Sequence, residues 1–238
     1  MVAVGEVGVG AVEALAGAGG APGRVVARFA KAAYVQVGDG LVAVTRPGVA
    51  RGPIHLVAAL PAGDEVVFDL GRARVWRGPL PPPPALAASA GAIVTALAAA
   101  PASSLHDPVY APRMTTALAA LAGDDLDAVA AALGGLGPGL TPAGDDALAG
   151  ILMARRARRG AVVEDDLVAV ADTVRTNALA RAFLLWAGRG QCIEPVHDLL
   201  MSDDVAGATR AVTALAAVGH SSGADLAWGL RVGLVSPA

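Results

Sequence analysis

The chain has 238 residues, enough for a sizeable core in one large domain or two small ones. Hydrophobic residues make up 55% and aromatics only 3%, so Ala, Val and Leu must fill that core. A net charge of -3 argues against a polyanion-binding surface, and nucleic acid is not an expected partner.

Residues 9–18 can form a short helix ahead of a β-rich stretch. From Arg24 to Gly78 the segments RVVARFAKAAYVQV, GLVAVT, IHLVAAL, EVVFDL and RARVWR read as strands. Gly-Asp-Gly at 38–40, Pro-Gly at 47–48 and Pro-Ala-Gly-Asp at 61–64 break them apart. Lys31 is the only lysine. Alternation along its strand places it on the face of Phe29, Ala33, Val35 and Val37, which aims its ammonium inward unless a bulge or snorkelling intervenes.

Pro79–Pro84 contains the run Pro81–Pro84 and reads as an extended connector. Beyond it, helical spacing or propensity covers 85–99, 111–122, 125–133, 142–158, 164–187, 203–218 and 222–232. The expected fold class is α+β: an N-terminal antiparallel β-sheet or small barrel over 1–80, then a predominantly helical region over 85–238.

Cys192 is the lone cysteine, which excludes an intramolecular disulfide and fits a reducing compartment. The start lacks a basic n-region and the Ala-rich run near 85–100 is too weakly apolar for a span, so a cytoplasmic protein with no membrane partner is expected. His55, His106 and His197 show no zinc spacing. The arginines at 155, 156, 158 and 159 fall at a helix C-terminus, where solvation and dipole complementarity account for them.

The most informative stretch is GGLGPGLTPAGDDALAG at 134–150. Glycines at 134, 135, 137 and 139 permit positive φ and close approach of a ligand. Thr141 reads as an N-cap and Pro142 as the first helical residue. A helix N-terminus of this kind seats an anion. Asp145 and Asp146 oppose that: a unit charge about 5 Å from one carboxylate is repelled by roughly 3 kcal/mol at an effective dielectric near 20. The expected remedy is a cation, either Mg²⁺ on Asp145 and Asp146 or a basic side chain, for which Lys31 is the candidate. The simpler alternative is a well-made helix start whose acids complement the dipole, although Gly144 in the first turn is not needed for that. AGDD also occurs at 122–125, where Asp124 and Asp125 read as a surface helix start.

A second motif, GHSSGAD at 219–225, matches G-x-S-x-G, but the helical spacing before it argues against a nucleophile elbow. Gly219 as a helix stop and Ser222 with Asp225 as a capping pair account for most of it. His220 remains as a candidate acid or base. Arg175, Thr176 and Asn177 fall inside the long helical stretch, where they either face a cleft or, as the simpler expectation, face solvent.

With GLGPGLTPAGDDALAG and GHSSGADLAWGL together, the chain resembles the AllH-like family, whose namesake is a subunit of oxamate carbamoyltransferase. Both family signatures, G-x-G-L-T-P-[SA]-G-D-D and G-H-[ST]-S-G-x-D, are matched in order. A family Thr followed closely by Ser is matched only loosely, at Thr173 and Thr176–Asn177. The resemblance implies transfer of a carbamoyl group between phosphate and oxamate, alongside partner subunits, in purine catabolism and allantoin degradation.

Two readings of function follow. In the first, the chain is a transferase subunit that binds carbamoyl phosphate, an acyl phosphate or a small carboxylate. Gly137, Gly139, Leu140, Thr141 and Gly144 line the anion, Asp145 and Asp146 act as catalytic or Mg²⁺-binding acids, and His220, Ser221 and Ser222 form the opposite wall. In the second it is a noncatalytic assembly or ligand-binding subunit, with the glycine loop a rigid turn. Either allows a homo-oligomer. A hydrolase using Ser221 is a third and weaker option.

Overall fold

Glycine and proline set the boundaries of most elements in the computed structural model, which describes residues 1–236. The chain folds as two compact units, Met1–Gly78 and Pro79–Ala238. The architecture is α+β, with a curled mixed sheet followed by helices.

The first unit contains β1 (Val2–Gly8), α1 (Val9–Gly17), β2 (Gly23–Arg28), β3 (Ala32–Val37), β4 (Gly40–Thr45), β5 (His55–Ala58), β6 (Glu65–Val66), β7 (Phe68–Asp69) and β8 (Arg74–Trp76). Sheet order is β6-β2-β3-β4-β5-β1-β7, with β8 also on β1. The expected antiparallel pairing holds for β2–β3, β3–β4 and β1–β5, whereas β4–β5, β1–β7 and β1–β8 are parallel. Alternating Val35, Val37, Val42, Val44 and Leu56 are buried and form its core with Val4 and Val7.

The residue pattern over 24–37 predicts one long strand, and the structure has a hairpin there. Phe29 N–H donates to Ala32 O, turning the chain so that Lys31 lies exposed in the bend. Its ammonium therefore does not point inward; the alternation that buries Ala33, Val35 and Val37 starts only after the turn. β1 is not evident in the sequence, because Gly5 and Gly8 interrupt its valine alternation.

The second unit is helical: α2 (Pro83–Ala98), α3 (Ala111–Ala122), α4 (Leu126–Leu133), α5 (Ala143–Arg159), α6 (Glu164–Thr173), α7 (Ala178–Gly188), α8 (Glu194–Leu200), α9 (Val205–Ala216) and α10 (Ser222–Val235). Pro83 and Pro84 open α2 instead of extending a connector, since a first-turn proline gives up no intrahelical bond. α8 is too short to show in the apolar periodicity. His197 fixes it: Nε2 accepts the Cys192 N–H at 3.0 Å, and Nδ1 lies 2.9 Å from Pro79 O. Among the described residues, no helix is long and apolar enough to cross a membrane.

α5 is the central helix, with Ala147, Leu148, Ile151, Leu152, Met153 and Ala154 fully enclosed. It meets α10 at backbone distance. A Cβ on Gly150 would stand 2.6 Å from Leu230 N, one on Gly233 would stand 2.8 Å from Ala154 Cβ, and one on Gly229 would run into the Ala147 carbonyl. The arginines at the end of α5 are not a solvated cluster. Arg155 is buried and paired with Asp124, Arg156 pairs with Glu164, Arg158 donates to Gly233 O and Ser236 O, and Arg159 pairs with Asp124. Each guanidinium ties α5 to a neighbouring segment.

The α5–α10 contact can be tested by the sign of an alanine substitution. Ala is favoured over Gly in a helix by roughly 0.5–1 kcal/mol, so Gly91→Ala in α2, where a Cβ meets nothing within 4 Å, should stabilise the protein by about that amount. Gly150→Ala and Gly229→Ala should destabilise it by about 1–3 kcal/mol or more, read from urea unfolding.

Candidate active site at the start of α5

The loop between α4 and α5 is shaped by three glycines with φ of 66° at Gly135, 106° at Gly137 and 103° at Gly139. Two of them also need their missing side chain. A Cβ on Gly135 would press on Arg175 O at 2.8 Å, and one on Gly137 would sit 3.1 Å from Ala143 N, covering the first amide of α5. Gly139 and Leu140 are exposed, and a Cβ on Gly139 would meet open space.

The helix starts one residue later than its sequence suggests. Pro142 is the N-cap and Thr141 makes no cap bond; its Oγ1 lies 3.0 Å from Ser222 Oγ. Three amides of the first turn are internally satisfied, Gly144 N–H by Leu136 O and those of Asp145 and Asp146 by Pro142 O. Gly144 has a structural reason: a Cβ there would run into the Leu133 carbonyl.

Asp145 and Asp146 are 2% and 9% exposed, so neither is a solvated first-turn acid. The Asp145 carboxylate accepts Gly135 N–H at 2.8 Å and the Thr176 hydroxyl at 2.5 Å. Burial raises its pKa, and those two bonds work against the rise. Asp146 is pushed further, from 3.8 to about 8, foremost by burial. Hydrogen bonds from Ser222 and Thr141 oppose that shift, while the like charges of Asp225 and Asp145 add to it. Its Oδ2 is buried without a hydrogen-bond partner.

The raised pKa of Asp146 lessens the repulsion within the pair, since its protonated form carries no charge. Both Asp145 oxygens are engaged, and among the described residues no three His, Cys, Asp or Glu side chains come together to hold a metal ion.

Asp225 does not cap its own helix. Fully buried, it accepts Ser103 Oγ at 2.6 Å, Ser104 N–H at 2.8 Å and Ser104 Oγ at 3.0 Å. Ser221 is the N-cap of α10 and Ser222 its first residue, placed to reach Thr141. His220 is exposed on the turn just before them. Lys31 belongs to the first unit.

Thr176 and Asn177, which the sequence assigns to a solvent-facing helix, instead break it. The backbone leaves the helix at Val174, and Asn177 caps α7 by accepting Leu179 and Ala180 N–H, each at 3.0 Å. Asn177 Nδ2 also donates to Leu140 O at 2.9 Å, so this break holds the glycine loop from one side while Thr176 holds Asp145. An Asn followed by Ala-Leu-Ala inside a long helical stretch is the signal that could have located it.

These features define an α+β protein whose helical unit holds a buried acid pair behind a glycine loop and carries both resemblance motifs. Residues 133–234 match the model of the family described as oxamate carbamoyltransferase subunit AllH, a span running from the end of α4 through the loop, the Thr176–Asn177 break and α10. No curated protein and no solved structure matches the chain.

A raised carboxyl pKa makes a definite claim about stability. The folded protein holds the Asp146 proton more tightly than the unfolded chain, so stability should fall as pH rises from about 4 to about 8 and level off above. Asp146→Asn should remove much of that slope and, at pH 8, leave a protein at least as stable as the wild type. Urea midpoints at pH 5 and pH 8 measure both effects. An unchanged slope in the variant would place the proton elsewhere.

Proposed function

We propose that this chain is a subunit of an oxamate carbamoyltransferase-like enzyme and that it binds a carbamoyl or acyl phosphate, or a small carboxylate, at the start of α5. The match over 133–234 supports the transferase reading. The observation that carries the site is Asp146, buried at 9% exposure beside Asp145 with one carboxyl oxygen unmatched. A buried polar atom without a partner is destabilising unless a ligand or water completes it.

In this reading Gly137 and Gly139 leave room for the anion against the Ala143 amide, with Leu140, Thr141 and Gly144 shaping that wall. The acceptor nitrogen attacks the carbamoyl carbon, and the carbon–oxygen bond to phosphate breaks with its electron pair leaving on the phosphate. Asp146 donates its proton to that departing oxygen. Asp145, fixed by Gly135 and Thr176, orients the acceptor N–H. His220, on the Ser221–Ser222 turn, takes the proton lost by nitrogen. Partner subunits complete the enzyme.

One observation favours a second reading, that of a noncatalytic assembly subunit. The amides of Gly144, Asp145 and Asp146 already have backbone acceptors, as a rigid turn requires, and Leu140 is 45% exposed at the loop tip for a partner to cover.

Calorimetric titration of carbamoyl phosphate into the purified chain separates the two. Binding weakened at least tenfold by Gly137→Ala, whose Cβ would cover the Ala143 amide, is expected, with affinity falling as pH rises past about 8, where Asp146 gains charge. Tighter binding in the presence of Mg²⁺ would give Asp145 and Asp146 a metal-holding role as well. Absence of binding by the chain alone, with activity appearing only on mixing with partner subunits whose own residues are essential, would favour the assembly reading.

A further inference from the structure

Arg155 presents a problem that its ion pair does not solve. It lies on α5, ten residues beyond Asp145 and thus about 15 Å along the helix. Its side chain is 2% exposed. Nη1 forms an ion pair with Asp124 Oδ1 at 2.5 Å, yet all three guanidinium nitrogens are buried without a hydrogen-bond acceptor, and Nε and Nη2 have no ion-pair partner either. Asp124 cannot supply one, because its other oxygen pairs with Arg159 at 3.1 Å. Among the described residues Asp124 is the only non-glycine at positive φ, 60°, a conformation sustained where surrounding contacts hold it. The two ion pairs are those contacts.

The edge of a guanidinium that carries Nε and Nη2 presents two parallel N–H groups, the geometry that grips a carboxylate through both oxygens. Arg155 lines a cavity of about 260 Å³ beside α4 and α6, room for a molecule of several heavy atoms. Asp127 and Asp166 also line it, and Leu126, Val163, Leu167 and Val170 supply an apolar surface. Four aspartates and two arginines line it, so a multiply charged anion such as phosphate meets net repulsion. A carboxylate that brings its own positive charge does not.

We infer that this cavity is a binding site for a small zwitterionic α-amino acid with an aliphatic side chain. Its carboxylate lies on Nε and Nη2 of Arg155, its ammonium on Asp127 and Asp166, and its side chain against the leucines and valines. This site is separate from the glycine loop and stands whether or not the transferase reading does.

Calorimetric titration of the full chain with L-valine, propionate and inorganic phosphate tests it. L-Valine should bind, propionate at least tenfold more weakly and phosphate more weakly still. Arg155→Lys keeps the charge but loses the paired donors and should weaken L-valine at least tenfold. Asp166 is exposed and safe to change; Asp166→Asn should weaken L-valine several-fold and leave propionate unaltered. The site is overturned by absence of heat with L-valine, by phosphate binding more tightly, or by L-valine affinity indifferent to Asp166→Asn.

Discussion

The backbone contact between α5 and α10 is the constraint on which the helical unit depends. Gly150, Gly229 and Gly233 let the two helices approach until neither has room for a methyl group at the crossing. Such an approach brings the first residue of α10 to the first turn of α5, where Ser222 meets Thr141 and both reach Asp146. A wider crossing would admit water between these ends. The acids would then be ordinary surface groups.

Burial so close to other charges creates an electrostatic problem that the protein meets in three ways. Asp145 is matched by a backbone amide and a threonine hydroxyl, and Asp225 by two serines and a backbone amide. Asp146 has weaker help and keeps a proton instead. Uneven treatment of neighbouring carboxyl groups separates their pKa values, which is what lets one of a pair act as an acid. The chemistry proposed for the site rests on that difference, since a protonated carboxyl can face an anion that a carboxylate would repel.

The other end of α5 shows the opposite arrangement, with buried positive charge short of acceptors. Asp124 divides its oxygens between Arg155 and Arg159, and the buried Arg155 guanidinium is left without hydrogen-bond acceptors. One rigid helix thus carries an acid-rich end and a base-rich end, each with a polar group lacking a partner inside the protein. A helix so thoroughly enclosed moves as a unit, so both ends are held in place by the same packing.

The α+β class, most of the helices and the glycine turn ahead of α5 could be read from residue order alone, because glycines, prolines and apolar spacing act locally. Gly135, Gly137 and Gly139 do adopt the left-handed conformations that their identity allows. Proton occupancy at Asp146 could not be read this way, since it depends on Ser222 and Asp225, some eighty residues away. Nor could the burial of Arg155 or the roles of Thr176 and Asn177, which hydrogen-bond to the start of α5 and to the loop before it, more than thirty residues earlier. Local sequence determined where helices begin, bend and stop. Only the tertiary structure decided which polar groups lost water and which partners replaced it, because desolvation is a property of what packs around a residue and not of its neighbours in the chain.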